Sequence, residues 1–345
     1  REVFLDRDQV SATAIALGAA GDGVRKGVLA ADESTGTIGK RFEAIGVLST
    51  PQTRRDYREL LLRSEAIGAQ ISGIILFDET LRQSAADGTS FVDIIEAAGA
   101  LPGIKVDRGI APLPGFPGES VTQGLDGLAG RLAEYRKLGA RFAKWRAVMD
   151  VGPGVPSDHA IAANAQALAR FAAHCHSADL VPIVEPEVLM DGDHDLAHCY
   201  AVSKRTLTRV FYELNEARVF LEGIVLKPNM IVPGLKHMRK AEPEEVARAT
   251  LRLLRNCVPA AVPTIAFLSG GQDEVEATAN LDALNKLGPS PWALTFSFGR
   301  ALQSATQKTW GGRSVNSAAA QRAFEHRALM NVLAARGRWS RDLET

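Results

Sequence analysis

Cysteine is scarce and scattered: the 345 residues hold three, Cys175, Cys199 and Cys257, with no C-x-x-C pair among them. That excludes a disulfide scaffold and fits a reducing compartment, so a cytoplasmic location is expected. Net charge is missing as well. Forty basic and forty acidic residues cancel, which leaves no electrostatic case for a nucleic-acid or membrane partner. No apolar run approaches the roughly 20 residues of a membrane span, and no charged, apolar, small-residue signal opens the chain. The first residue is Arg1 rather than Met. No linker rich in Gly, Pro or Ser divides the chain, and no repeat or low-complexity tract interrupts it. Residues 1–345 are therefore expected to form a single domain. What remains, 46% hydrophobic and 23% charged residues, is the composition of a globular protein with a large core.

Eight short apolar runs alternate with longer helical patterns. The runs are VLAAD (28–32), SGIILF (72–77), GIKVD (103–107), FAKWR (142–146), LVPIVEPEV (180–188), GIVLKPN (223–229), TIAFLS (264–269) and ALTFSF (293–298). Apolar residues recur at helical spacing over 56–69, 91–98, 127–138, 159–177, 196–218, 244–256 and 274–287, and again over 300–310 and 317–336. Strands alternating with helices over this length imply parallel βα units, and eight of them imply an α/β fold of the closed (β/α)8 TIM-barrel type. Residues 1–25 are expected to be a helical extension outside the barrel, and residues 337–345 a C-terminal tail.

The charges within the strands obey a parity rule. Side chains two apart on a strand share a face, and only one face points into a barrel. Lys144 and Arg146 share a face, Glu185 and Glu187 share a face, Lys105 shares one with Asp107, and Asp32 closes the first strand. Each lies at or near the carboxyl end of its run, the end at which barrels of this type place their active sites. Water-facing strands would carry charges at their beginnings too, yet Val28, Ile74, Ile183, Ile224 and Ile265 stand there. Lys227 ends the most apolar run, and Pro228 cannot continue the ladder. Desolvation among Ile224, Val225, Leu226 and Pro228 favours the neutral amine that attacks a carbonyl, which makes Lys227 the candidate Schiff-base lysine. A lysine whose stem packs while its head reaches water is the plainer alternative.

The last two strands end in SGGQDE (269–274) and SFGRAL (297–302), each read as opening a helix. Free N–H groups of Gly270 and Gly271 at a helix start, with Arg300 after Gly299, match the phosphate site that barrels place after strands seven and eight. Glu187, Lys144, Arg146 and Arg41 would then surround a substrate with more than one negative group.

These segments resemble the class I (Schiff-base) fructose-bisphosphate aldolases, from about Val28 to Arg336. LAADESTGTIGKR (29–41), GIILFDETL (73–81), GIKVDRGI (103–110), TQGLDGL (122–128) and FAKWR (142–146) look like the signatures of that family. So do VPIVEPEVL (181–189), DGDHDL (191–196), LKPNM (226–230), FLSGGQ (267–272) and PWALTFSFGRALQ (291–303), all in the family's order. The resemblance implies reversible cleavage of fructose 1,6-bisphosphate to dihydroxyacetone phosphate and glyceraldehyde 3-phosphate, without metal or organic cofactor, by a homo-oligomer that is usually a tetramer. It further implies that Lys227 forms the imine and that Lys144 assists carbinolamine formation. Glu185 would dehydrate the carbinolamine, Glu187 would hold the lysines, and Asp32 would take a hydroxyl proton as the carbon–carbon bond breaks. Ser269, Gly270, Gly271, Ser297 and Arg300 match positions holding one substrate phosphate, with Gly299 beside them; Arg41 and Lys105 match positions toward the other. Thr37 stands where a serine is frequent, and it keeps the hydroxyl. The chain ends GRWSRDLET, whereas many family members carry a longer tail finishing in a tyrosine.

The chemistry needs these residue types whatever the family. Breaking a bond beside a ketone leaves a carbanion, and a protonated imine accepts those electrons better than a carbonyl does. Expelling water to form the imine needs a proton donor, so Glu185 is expected to have a raised pKa through burial or through Glu187. The other aldolase design uses a divalent metal as electron sink. The best histidine pair for one is His194 with His198, followed by His174 with His176. Neither sits at a strand end, and DGDHD lacks the later Gly and Glu of a calcium loop, so no metal is expected. Two rival readings are a barrel aldolase acting on another sugar phosphate and a catalytically idle barrel kept as a binding protein.

Overall fold

The computed structural model describes residues 6–19 and 24–345. All eight expected runs form parallel strands: β1 (Gly27–Ala31), β2 (Ile71–Leu76), β3 (Leu101–Lys105), β6 (Phe142–Met149), β7 (Val181–Val188), β8 (Val225–Leu226), β9 (Thr264–Phe267) and β10 (Ala293–Phe298). They close in the order β1-β10-β9-β8-β7-β6-β3-β2. Two further strands, β4 (Ile110–Pro112) and β5 (Ser120–Thr122), form a separate antiparallel hairpin. That hairpin went unread because three-residue strands around GFPG carry too few positions to establish a period of two.

The helical patterns hold to within a few residues, as in Asp158–His176, Leu196–Glu216 and Ser317–Ala335. Two differences have local causes. The pattern over 56–69 begins earlier, at Pro51 behind the Thr50 cap, and breaks after Leu62 where Ile67 and Gly68 leave helical geometry. A helix Thr35–Glu43 that hydrophobic spacing did not reveal follows β1; Ser34 caps it, and its two glycines and two threonines hid it. At the carboxyl end, Trp339 is buried and donates its backbone N–H to Asp282 (2.9 Å), and Glu344 receives Trp339 Nε1 (2.9 Å) and Arg327.

Two apolar layers make most of the core, with a small third cluster of Met149, Ile161, Val188 and Val202 beside them. The larger lies between the outer face of the barrel and the helices. The smaller lies inside the barrel and joins Val28, Ala30, Ile75, Phe142, Val181, Ile183, Val225 and Ala266 to Val10, Ala14 and Leu17 of the helix Arg7–Gly18. This helix closes the amino-terminal mouth. Ser72 Oγ donates to Leu17 O (2.7 Å) and Thr264 Oγ1 to Ala14 O (2.9 Å), which ties the helix to β2 and β9. Phe142 fills the interior over Gly103, where an added Cβ would come within 2.2 Å of the ring.

Candidate active site

A cavity of about 1200 Å³ opens at the carboxyl ends of the strands. The alternation expected from sequence is what places its charges. On β6, Phe142 lies in the interior apolar layer and Lys144 and Arg146 follow at steps of two; on β7, Val181 and Ile183 are followed by Glu185 and Glu187. Register brings Arg146 beside Glu185 and Lys105 beside Lys144. β8 is shorter than expected, because a 3-10 turn over Leu221–Gly223 takes its first residues. The ladder nonetheless continues past it, since Lys227 N donates to Val184 O (2.8 Å) and Pro228 O accepts from Leu268 N (3.0 Å). Asn229 Oδ1 then accepts from Val188 N (3.0 Å), locking LKPN to the end of β7.

Four side chains form an unbroken row of alternating charge. Lys144 Nζ lies 2.7 Å from Asp32 Oδ2 and 3.1 Å from Glu185 Oε2, and Lys227 Nζ lies 3.1 Å from Glu185 Oε1. All four are buried. Burial alone raises the pKa of Asp32, but Lys144, Lys227 and Lys105 outweigh it and lower it to about 2. Burial pulls Lys144 down, and Asp32, Glu185 and Asp107 more than reverse this, so its ammonium is held well above its ordinary range. Glu185 corrects the sequence expectation. Burial does push it upward, yet Lys144, Lys227 and Arg146 prevail and its pKa is lowered. Its neighbour Glu187 is engaged elsewhere, accepting from Arg146 Nε.

The phosphate-binding candidates line the same cavity in part. Ser269, Gly270, Ser297, Gly299 and Arg300 do so, and so do Thr37, Arg41 and Lys105. Gly270 is required by close approach: a Cβ there would meet Glu187 Oε1 at 2.8 Å. Gly271 adopts φ +76° and lies one residue outside the lining. SGGQ is a turn closed by Gln272 N to Ser269 O (3.0 Å), not the helix start expected; the helix begins at Glu274, with its first N–H groups taken by Asp273. Among the described residues neither Gly270 N nor Gly271 N donates a hydrogen bond, and Ser297 Oγ is buried without a partner. Donors left open at a strand end are what an anion would satisfy.

Sequence reasoning missed the supporting roles of Glu33 and Asn229, and it placed Asp107 on the face of Lys105 without giving it a role. Asp107 accepts from Lys105 Nζ (2.5 Å), Gly109 N (3.2 Å) and Arg146 N (3.3 Å). Glu33 accepts from Arg41, Arg58 and Gln303. Asn229 acts as described above. Their signal was proximity: each sits within two residues of a candidate already named. The histidines lie elsewhere. His194 and His198 lie with ring centres 6.2 Å apart and their planes tilted by 43°, where a loop enters the helix Leu196–Glu216, and His176 meets Gly223 O. Among the described residues no group of three or more His, Cys, Asp or Glu side chains is placed to hold a metal ion.

Comparison with known proteins agrees with this geometry. The profile of the family described as fructose-bisphosphate aldolase class-I matches residues 10–345. The chain is 53% identical to cytosolic fructose-bisphosphate aldolase 4 of Arabidopsis thaliana over 320 residues, 92% of this chain and 81% of that one. It is 51% identical to a probable fructose-bisphosphate aldolase class 1 of Xanthomonas campestris over 333 residues, 96% and 98% of the two chains. Among solved structures, the fructose-bisphosphate aldolase of Plasmodium falciparum, in complex with TRAP and a small-molecule inhibitor, superposes with a TM-score of 0.95. That chain is 46% identical, and the match covers 99% of this chain and 98% of that one. The likeness spans every strand of the barrel, and the chain belongs to the class I fructose-bisphosphate aldolase family.

Proposed function

We propose that Lys227 is the imine-forming lysine of this class I fructose-bisphosphate aldolase, with Lys144, Glu185 and Asp32 moving the protons. The reaction is the reversible cleavage of fructose 1,6-bisphosphate to dihydroxyacetone phosphate and glyceraldehyde 3-phosphate through a lysine Schiff base. The observation that carries the residue assignment is the row Asp32–Lys144–Glu185–Lys227. Lys144 has a carboxylate on each side and stays an ammonium. Lys227 has Glu185 as its one carboxylate partner among the described residues and is buried at the end of the apolar strand β8, which places its nitrogen as the nucleophile of the row.

The lowered pKa of Glu185 fits this order of events. Glu185 begins as a carboxylate and receives the proton that Lys227 releases, freeing the amine to attack the ketone carbon. The carbonyl oxygen becomes the carbinolamine hydroxyl, with Lys144 supplying positive charge beside it. Once the Lys227 nitrogen is neutral, Glu185 has lost one of its cations, and its proton is available to the departing hydroxyl. Water leaves, a protonated imine remains, and Glu185 is ionised again. Asp32, ionised in the resting site, takes the hydroxyl proton as the carbon–carbon bond breaks, and the bond's electrons pass into the imine. The aldehyde departs, and protonation and hydrolysis of the remaining enamine return the amine. The imine is the electron sink, so the step calls for neither a metal nor an organic cofactor.

In the same reading Ser269, Gly270, Gly271, Ser297, Gly299 and Arg300 receive one phosphate, and Thr37, Arg41 and Lys105 face the other. Arg146, held by Glu187, borders the reacting carbons. The chain works as a single domain and as a homotetramer, as the family resemblance suggests; sedimentation equilibrium tests the second point. The plant relatives named cytosolic or cytoplasmic support a cytoplasmic location. Borohydride trapping with dihydroxyacetone phosphate, followed by peptide mapping, tests the central assignment. Label on Lys227 is expected, and label mainly on Lys144 or Lys105 would overturn it.

A further inference from the structure

Glu33, next to Asp32, ties a second set of charges to the cavity wall. Its Oε1 accepts from Arg41, and its Oε2 from Arg58 Nη2 at 2.6 Å. Gln303 is fully buried and donates Nε2 to Glu33 Oε1 (2.9 Å) and to Ala30 O (2.8 Å), which fixes the carboxylate to β1. The two guanidiniums differ in reach. Arg41 lines the cavity with 25% of its side chain exposed, whereas Arg58 is 3% exposed, lies over the Tyr57 ring and does not line the cavity.

One carboxylate needs one cation to neutralise it, and Arg41 is already in place. A second, buried guanidinium is costly to desolvate, the more so because its Nη1 has no hydrogen-bond partner among the described residues. Its effect is on the charge balance at the wall. With both arginines the cluster carries one net positive charge, and that charge can be presented only through Arg41. Without Arg58, Glu33 and Arg41 would close into a neutral pair, with both carboxylate oxygens free to hold Arg41 bidentately.

We infer that Arg58 is a positioning residue for substrate selection: by occupying Glu33 Oε2 it leaves Arg41 free to turn to an anion, and so favours ketoses bearing a second phosphate. The inference rests on the reading of Arg41 as facing that phosphate. Steady-state kinetics with fructose 1,6-bisphosphate and with fructose 1-phosphate, which lacks the second phosphate, test it. For Arg58→Met the KM for the bisphosphate is expected to rise about tenfold, with kcat and the kinetics on the monophosphate unchanged. Adding Glu33→Gln should restore the bisphosphate KM, because the anion that captures Arg41 is then gone. Equal losses on both substrates, or no recovery in the double variant, would reduce Arg58 to a packing role and overturn the inference. Arg58→Leu, which likewise removes both the charge and the donor to Glu33, carries the same expectation if the methionine variant does not fold. Arg41→Gln run in parallel separates two kinds of failure. If it leaves the preference between the substrates unchanged, the placement of Arg41 is wrong; if it raises the bisphosphate KM while Arg58→Met does not, Arg58 alone is misassigned.

Discussion

The two mouths of the barrel are made from the same eight strands and could hardly differ more. At the amino-terminal mouth the interior is apolar and closed by Val10, Ala14 and Leu17 of the first helix. Two strand positions further along, the inward side chains become Lys144, Glu185 and Lys227, with Asp32 beyond β1, beneath an open cavity. The apolar layer gives the charged layer a dry floor. Ion pairs resting on it are poorly screened from below, which is why Asp32, Lys144 and Glu185 are shifted by the charges beside them. Inside the barrel, apolar packing is thus concentrated at one mouth and chemistry at the other.

Substitutions at the two ends should therefore fail in different ways. Lys227→Met should cost roughly four orders of magnitude or more in cleavage and abolish borohydride-trappable imine, since no other group replaces the electron sink. Leu17→Ala, at the opposite mouth, should lower the stability measured by urea denaturation by about 3 kcal/mol and leave kcat unchanged in the folded enzyme. A large fall in kcat there would mean that the floor is part of the site. Asp32→Asn should reduce cleavage roughly 100-fold while dihydroxyacetone phosphate still gives a trappable imine; normal turnover would move the base to Glu185 or Glu187. Arg300→Ala should weaken kcat/KM for phosphorylated substrates by about 2 kcal/mol, mainly through KM.

A pH series sharpens the same contrast. The Asp32 pKa of about 2 lies below its ordinary 3.8. The stability it contributes is present in full above the unfolded value and is lost as pH falls from about 4 through about 2. The difference in unfolding free energy between the wild type and Asp32→Asn should accordingly be constant from neutral pH down to about 5 and shrink below that. Prolonged treatment with EDTA should produce the smallest effect of all, an unchanged turnover rate; activity restored by added zinc would contradict the imine sink.

Much of the barrel was legible because a period of two and a period near 3.6 leave different marks on sequence, and eight alternations fit few folds. Long helices such as Leu196–Glu216 were found to within two residues. The helix Thr35–Glu43 and the strands Ile110–Pro112 and Ser120–Thr122 were not, because helix 35–43 is rich in Gly and Thr and the strands are three residues long. The SGGQ turn was misread as a helix start because glycine serves both equally well, and only Asp273, three residues later, marks the true cap. Most candidate side chains do line one cavity, since parity along a strand is a strict rule; Gly271, in a turn, escapes it.

The sequence by itself determined the number of barrel strands, the face on which each charge lies and the end of the barrel at which the charges gather, because all three follow from local periodicity. Only the tertiary structure decided which charge meets which. Register between β6 and β7 sets Arg146 beside Glu185, and closure of the barrel brings Asp32 from the first strand to Lys144 from the fourth. The lowered pKa of Glu185 is a product of register: burial, visible in the sequence as an apolar run, pushes it one way, and the ammoniums of Lys144 and Lys227 on the two neighbouring strands push it harder the other. Distances between strands far apart in sequence are not encoded in any one segment, and electrostatic balance depends on those distances.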